Sequence, residues 1–207
     1  MGLLKRLFSV PQPGTPPRQR PQLKSNNGAA FLLVNQNFQV EDLYQFITQR
    51  CATRTPNLLE LDAFSSFRIT HLAQSFLSDC PNLKGHLDLY HADLVEYLGT
   101  LVYPAEVARL GGSQAWQENV YRLFEARYPG YEEANTADLA KADSPFSDKV
   151  FFRETFARFR VNCLPPRWSH RDEVLLLMEF AVRLKTSYLA FGEQLKGVRS
   201  SLFSQAT

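Results

Sequence analysis

The densest run of chemically capable side chains is GHLDLYHADLVEY, residues 85–97, which carries His86, Asp88, His91 and Asp93. Imidazoles and carboxylates at that density are the raw material of a zinc or other transition-metal site. Helical geometry pulls them apart. At about 100° per residue, His86 and His91 fall roughly 140° from each other, on opposite flanks of the stripe Leu87, Tyr90, Leu94 and Leu98. Only Asp88 and His91, spaced i and i+3, share an edge. Two ligands do not complete a zinc site. No metal is therefore assigned, and a solvated Asp88–His91 pair at the margin of a buried face is expected.

Ser169, His170 and Asp172 are the residue types of a nucleophilic triad, but neighbours at a helix start cannot converge on one another, and no GxSxG elbow is present. Ser169 reads more simply as a helix cap with Asp172 behind it. Neither GxxxxGK[ST] nor GxGxxG occurs, so the common phosphate cradles are lacking. Gly111-Gly112-Ser113 could turn a helix N-terminus toward an anion, and the plainer reading is a joint between two helices. No catalytic residue and no cofactor follows from these patterns.

Cys51, Cys80 and Cys163 are far apart and form no CxxC, which favours reduced thiols over a disulfide framework or zinc knuckle. No apolar run reaches the eighteen or so residues of a membrane span.

The charge is distributed unevenly. Before Glu41 the chain has five cations, Lys5, Arg6, Arg18, Arg20 and Lys24, no acid, and five of its twelve prolines. The rest has 18 Lys+Arg against 21 Asp+Glu, so a net charge of +2 conceals a basic arm on a mildly acidic body. A segment such as PQPGTPPRQRPQLKSNNG buries too little apolar surface to offset its ordering entropy. An extended arm over residues 1–30 is expected, followed by a single domain over 31–207. On a helix, Leu3, Leu4, Leu7 and Phe8 would share one face with Lys5 and Arg6 turned away, a pattern suited to a partner's groove or an anionic lipid surface. A frayed terminus is the plain alternative. The same stretch resembles a mitochondrial import signal in being basic and acid-poor. Arg6 stands where a myristoylation signal wants Ser or Thr.

Helical periodicity recurs along the body. The spacing predicts a helix over about 40–53, with Val40, Leu43, Phe46, Ile47 and Cys51 inward. A second follows an Asn57/Glu60 capping box, with Phe64, Ile69, Leu72, Ala73, Phe76 and Leu77 on its apolar face. A third covers about 85–102, on the stripe from Leu87 to Leu101. Pro104 opens a short helix closed by Gly111 and Gly112. Ser113 is expected to cap another, inward at Trp116, Val120, Leu123 and Phe124. Residues 129–148, with Pro129, Gly130 and Pro145, read as a loop or as carrying one short helical turn. A helix should resume near Ser147 with Phe152, Phe156 and Phe159 on one face, and Pro165-Pro166 should break it.

The last helix carries Val174, Leu177, Ala181, Leu184, Tyr188, Phe191, Leu195 and Val198 at alternating spacings of three and four. Leu175, Leu176, Met178, Phe180 and Val182 make its first half apolar nearly all round, which predicts burial all round. A coiled-coil dimer seam along its second half is the alternative. The expected fold is all-α: an irregular bundle of about six or seven helices around a long buried C-terminal helix.

Residues 156–184, FARFRVNCLPPRWSHRDEVLLLMEFAVRL, resemble the segment around the Pro-Asp-His signature of the helical maturation chaperones for molybdenum enzymes. In that family a similar helix ending ELEFM follows the signature; here Leu176-Leu-Met-Glu-Phe180 stands in its place. The signature itself is replaced by Trp168-Ser169-His170, and the chain beyond it is shorter than in that family. The resemblance implies an all-helical fold and a substrate-specific chaperone.

From the residues themselves the expected role is a non-enzymatic interaction protein: an adaptor, assembly factor or structural subunit docking on a protein partner. Leu3, Leu4, Lys5, Arg6, Leu7, Phe8, Arg18, Arg20 and Lys24 are its partner- or membrane-binding residues. Nucleic acid, met by Arg18, Arg20 and Lys24 through phosphates, is a lesser alternative, and a homodimer through the C-terminal helix is another. The expected compartment is cytoplasmic, membrane-peripheral where residues 1–10 meet lipid, with the mitochondrial matrix as alternative.

Overall fold

The computed structural model describes residue 47 and residues 57–80, 82–140, 150–164 and 170–203, with side chains over 172–196 in the last stretch. Among these the chain is all-helical: α1 (Leu58–Leu77), α2 (Leu83–Tyr97) prolonged by a π-helical turn (Leu98–Val102), α3 (Pro104–Leu110), α4 (Ser113–Leu139), α5 (Arg153–Cys163) and α6 (His170–Phe203). No described helix is long and apolar enough to cross a membrane.

α1 begins as its sequence requires, with Asn57 Oδ1 accepting from the Glu60 amide at 3.3 Å. The reciprocal half of the capping box is not made. The Asn57 amide donates instead to the Cys163 carbonyl at 3.0 Å. That frees the Glu60 carboxylate for Arg127 on α4, whose Nε donates to both of its oxygens at 3.0 and 2.8 Å.

The enclosed helix of this bundle is α1, not the C-terminal helix. Residues 60–69 are buried without a break. α6 is one-faced: Leu176, Phe180, Ala181, Leu184, Tyr188, Phe191 and Leu195 are buried, while Val174, Leu175, Met178, Val182 and Leu189 are exposed. Apolar content all round a helix says what could be buried, not how many neighbours the fold supplies. α1 is enclosed despite Glu60, Asp62, Ser65, Ser66 and Arg68, each of which makes at least one side-chain hydrogen bond inside the bundle. Its Phe64 ring sits at the centre, 5.1 Å from Tyr131 of α4, 4.9 Å from Phe159 of α5 and 5.4 Å from Phe180 of α6. One aromatic cluster thus joins four helices.

The stripe on α2 holds through Tyr90, Leu94 and Leu98, but Leu101 is 61% exposed. The π-turn explains this: its wider winding turns each residue through less than 100°, and Leu101 rotates off the buried line. The Val95 carbonyl there accepts from Trp116 Nε1 of α4 at 3.0 Å. Gly99 lets the indole in, since a Cβ at that position would lie 2.7 Å from Trp116 Nε1. α3 opens on Pro104 and closes on Gly111, whose φ of 94° is left-handed. Gly111-Gly112 is thus the joint between α3 and α4. Gly112 holds the N-cap position and Ser113 is already helical, so Ser113 is not the cap.

The expected loop over 129–148 is corrected over its first part, because α4 runs on through Pro129 and Gly130 to Leu139. Pro129 is exposed and Tyr131 buried, so the lost backbone hydrogen bond faces water while tertiary packing on the opposite side holds the helix. Residues 141–149 lie outside the described residues. α5 starts later than expected, at Arg153, after Phe152 in a left-handed conformation with φ of 49°. Phe152 cannot cap a helix, and Asp138 at the end of α4 does so from outside. It accepts from the Glu154 amide at 3.1 Å and from the Thr155 amide and hydroxyl at 2.9 Å each. Of the predicted first helix only Ile47 is described, and it is helical and buried.

Candidate functional site

Two polar clusters flank α1. On one side Ser66 and Thr70, one turn apart, meet His91 of α2 and Tyr128 of α4. Tyr128 Oη lies 2.5 Å from Ser66 Oγ and 3.2 Å from His91 Nε2, and Thr70 Oγ1 lies 3.3 Å from the same nitrogen. The Thr70 hydroxyl donates to the Ser66 carbonyl at 3.0 Å. It is therefore an acceptor toward His91, and the imidazole satisfies both contacts with its hydrogen on Nε2. The sequence places His91 in a solvated pair with Asp88; the ring is instead turned inward, and Asp88 stays exposed at the rim.

This cluster forms one wall of an open cavity of ≈ 410 Å³ between α2 and α4, lined by Asp88, His91, Tyr121, Phe124, Glu125 and Tyr128. Asp88 and Glu125 make its rim acidic. Burial lowers the His91 pKa to about 4, against a weaker upward pull from Asp88, and burial raises Tyr128 to about 12. At neutral pH both are uncharged hydrogen-bonding groups. A general base works best when its pKa lies near the working pH, and burial moves both groups away from that range.

On the other side of α1 lies Arg68, only 1% exposed. Its Nη1 donates to Asn135 Oδ1 of α4 at 3.2 Å, and Asn135 Nδ2 lies 3.1 Å from His71 Nε2. With its oxygen held by the cation, the amide must offer an N–H to His71, which keeps the imidazole neutral with its hydrogen on Nδ1. Burial first, and the Arg68 charge second, lower the His71 pKa to about 4. The guanidinium carbon stands 4.8 Å from the Tyr188 ring centroid and 5.9 Å from that of Phe152, both within cation–π range. Its Nε and Nη2 have no hydrogen-bond partner among the described residues.

Elsewhere the Tyr103 hydroxyl donates to Asp62 Oδ2 at 2.8 Å. The Cys163 thiol is buried and its pKa pushed well up by burial, so it is inert rather than nucleophilic. No group of three or more potential metal ligands occurs among the described residues.

Leu3, Leu4, Lys5, Arg6, Leu7, Phe8, Arg18, Arg20 and Lys24 lie outside the described residues, as do Cys51, Ser169 and the side chain of His170. His86 is half-buried and apart from His91, as helix geometry requires. Periodicity and motif spacing do not single out Arg68, Asn135 or Asp138. One signal was available for Arg68: in FSSFRITHL it interrupts an apolar run, four residues after Phe64 and four before Leu72. A charged side chain inside the inward period of a buried helix marks a site.

Comparison of the chain with protein-family models, with curated proteins and with solved structures finds no match.

Proposed function

We propose that this protein is a non-enzymatic interaction protein, an adaptor, assembly factor or structural subunit that docks on a helical segment of a protein partner. The observation that carries the reading is the outer face of α6. Met178, Val182 and Leu189 are 61, 59 and 58% exposed, and with Leu175 they follow spacings of three, four and seven. That is a coiled-coil-type seam spanning roughly 21 Å at about 1.5 Å per residue. A regular apolar line of this kind on a surface helix marks an interaction surface, whereas single exposed apolar residues do not. Its spacing matches an amphipathic helix laid alongside, and the flexible Met178 side chain adapts to such a partner. The basic residues Arg18, Arg20 and Lys24 and the amphipathic stretch Leu3–Phe8 supply a second, electrostatically steered attachment.

The test is affinity purification of the full chain, the Met178→Asp/Val182→Asp variant and a variant lacking residues 1–30, each checked for unchanged helicity. The seam variant should lose the partners that the wild type retains, and the arm deletion should weaken their capture. Identical partner sets for all three proteins would overturn the reading. A wild-type dimer by light scattering that the seam variant reduces to monomer would replace it with self-association.

A further inference from the structure

The open cavity between α2 and α4 combines an aromatic lining with an acidic rim. α4 gives it Tyr121, Phe124, Glu125 and Tyr128, which share one helix face at spacings of three and four, and α2 gives it Asp88 and His91. The Phe124 and Tyr128 rings are nearly parallel, 13° apart with centroids at 6.0 Å. The His91 ring stands 6.5 Å from the first and 6.2 Å from the second. Tyr128 turns its hydroxyl inward to Ser66 and His91, which leaves ring surface toward the cavity. The volume, ≈ 410 Å³, falls within the roughly 300–1,000 Å³ of small-molecule clefts.

The lining has two carboxylates and no basic side chain. Neither Asp88 nor Glu125 is ion-paired among the described residues. Tyr121 stays a neutral phenol, because burial first and Asp88 second raise its pKa. Both halves of the lining therefore favour a cation, the carboxylates by charge and the rings by the negative potential over their faces. A small hydrated cation or a primary ammonium calls for several acceptors converging on one point. Asp88, His91 and Glu125 do not converge as a metal-binding group. A quaternary ammonium has no N–H to satisfy, and it spreads its charge over methyl groups that pack on ring faces.

We propose that this cavity binds a small organic cation with a quaternary ammonium head, of the choline type. The methyl groups rest on the aromatic lining, and Asp88 and Glu125 hold the charge without a direct hydrogen bond. The same two carboxylates repel an anionic group on the ligand, so a phosphocholine head is selected against.

The test is an NMR titration of the full chain at pH 7 and constant ionic strength. The ligands are choline, tetramethylammonium, ammonium, phosphocholine and the uncharged isostere of choline, in which a tert-butyl group replaces the trimethylammonium. Choline and tetramethylammonium should saturate, with the other three weaker by about tenfold or more. Tyr121→Leu keeps an apolar side chain and removes the ring, and should weaken choline roughly fivefold. Asp88→Asn/Glu125→Gln should weaken it by about tenfold and flatten its salt dependence. All three positions are exposed, and unchanged helicity checks that each variant folds. In the wild type, nuclear Overhauser contacts from the choline methyl protons to the Tyr121 ring should place the ligand in the cavity, a readout that needs no variant. Shifts that never saturate overturn the proposal. So does an isostere that binds as tightly as choline, an affinity that both variants retain, or methyl contacts to residues outside the cavity.

Discussion

Asp138 and Thr155 are joined twice: one carboxylate oxygen of Asp138 accepts both the amide and the hydroxyl hydrogen of Thr155, each at 2.9 Å. This pair lets α5 begin after Phe152, a residue with no capping side chain, and ties the end of α4 to the start of α5. Asp138→Ala leaves the first amides of α5 and a buried hydroxyl unsatisfied. The expected loss is about 2–3 kcal/mol, read as a lower urea midpoint at unchanged slope. Thr155→Val, which removes only the hydroxyl bond, should cost about 1 kcal/mol.

Stability should fall on mild acidification. His71 and His91 both have pKa values lowered to about 4 from an ordinary 6.5. The unfolded chain therefore takes up protons first. Their contribution is complete above pH 6.5 and shrinks as the pH falls toward 4, where the folded form protonates too and the loss levels off. Each histidine carries on the order of 3 kcal/mol across that window. Urea unfolding at pH 7, 6, 5 and 4.5 should show the decline, and His71→Gln and His91→Gln should each flatten it by a comparable share. A flat profile for the wild type would contradict inward-turned, neutral imidazoles.

Gly99→Ala should be poorly tolerated. The new methyl would meet Trp116 Nε1 at 2.7 Å and Cδ1 at 2.8 Å, and relief requires moving a buried indole off the Val95 carbonyl. The expected penalty is about 2–3 kcal/mol. Trp116→Phe alone should cost about as much, and the double variant less than the sum, because the first change already removes what the second disturbs. A double-mutant cycle by denaturant unfolding measures this.

Gly130→Ala should stabilise. Gly130 sits inside α4, its added Cβ would have nothing within 4 Å, and its φ is not in the left-handed region. The gain should be about 0.5–1 kcal/mol, visible as a higher thermal midpoint. A loss at this position would mean that the chain needs a bend there that a continuous helix does not provide.

Much of the architecture is legible in the residues, and the exceptions have physical causes. The stripe ending at Leu77, the Leu87-to-Leu101 stripe as far as Leu98, and the Pro104-to-Gly112 segment declare themselves because local rules and tertiary packing agree there. Pro129 misleads because intrinsic propensity is a small quantity beside the packing of Tyr131. α6 misleads in the opposite direction, since Leu175, Met178 and Val182 match a core pattern that has no neighbour to meet it. The polar sites were the least legible. Arg68 and Asn135 are 67 positions apart in the chain, and periodicity, which compares residues within a few turns, has no means of pairing them. Asp138 is equally silent, because the amides it serves belong to the next helix.

The π-turn at Leu98–Val102 makes this span sensitive to its length. Such a turn amounts to one residue more than an unbroken helix requires. A relative lacking a single residue in this span would close into a regular helix, return its equivalent of Leu101 to the interior and reclaim the carbonyl that holds the indole. A one-position gap here, accompanied by replacement of the tryptophan, would then be the mark by which a sister lineage without this wedge is told apart.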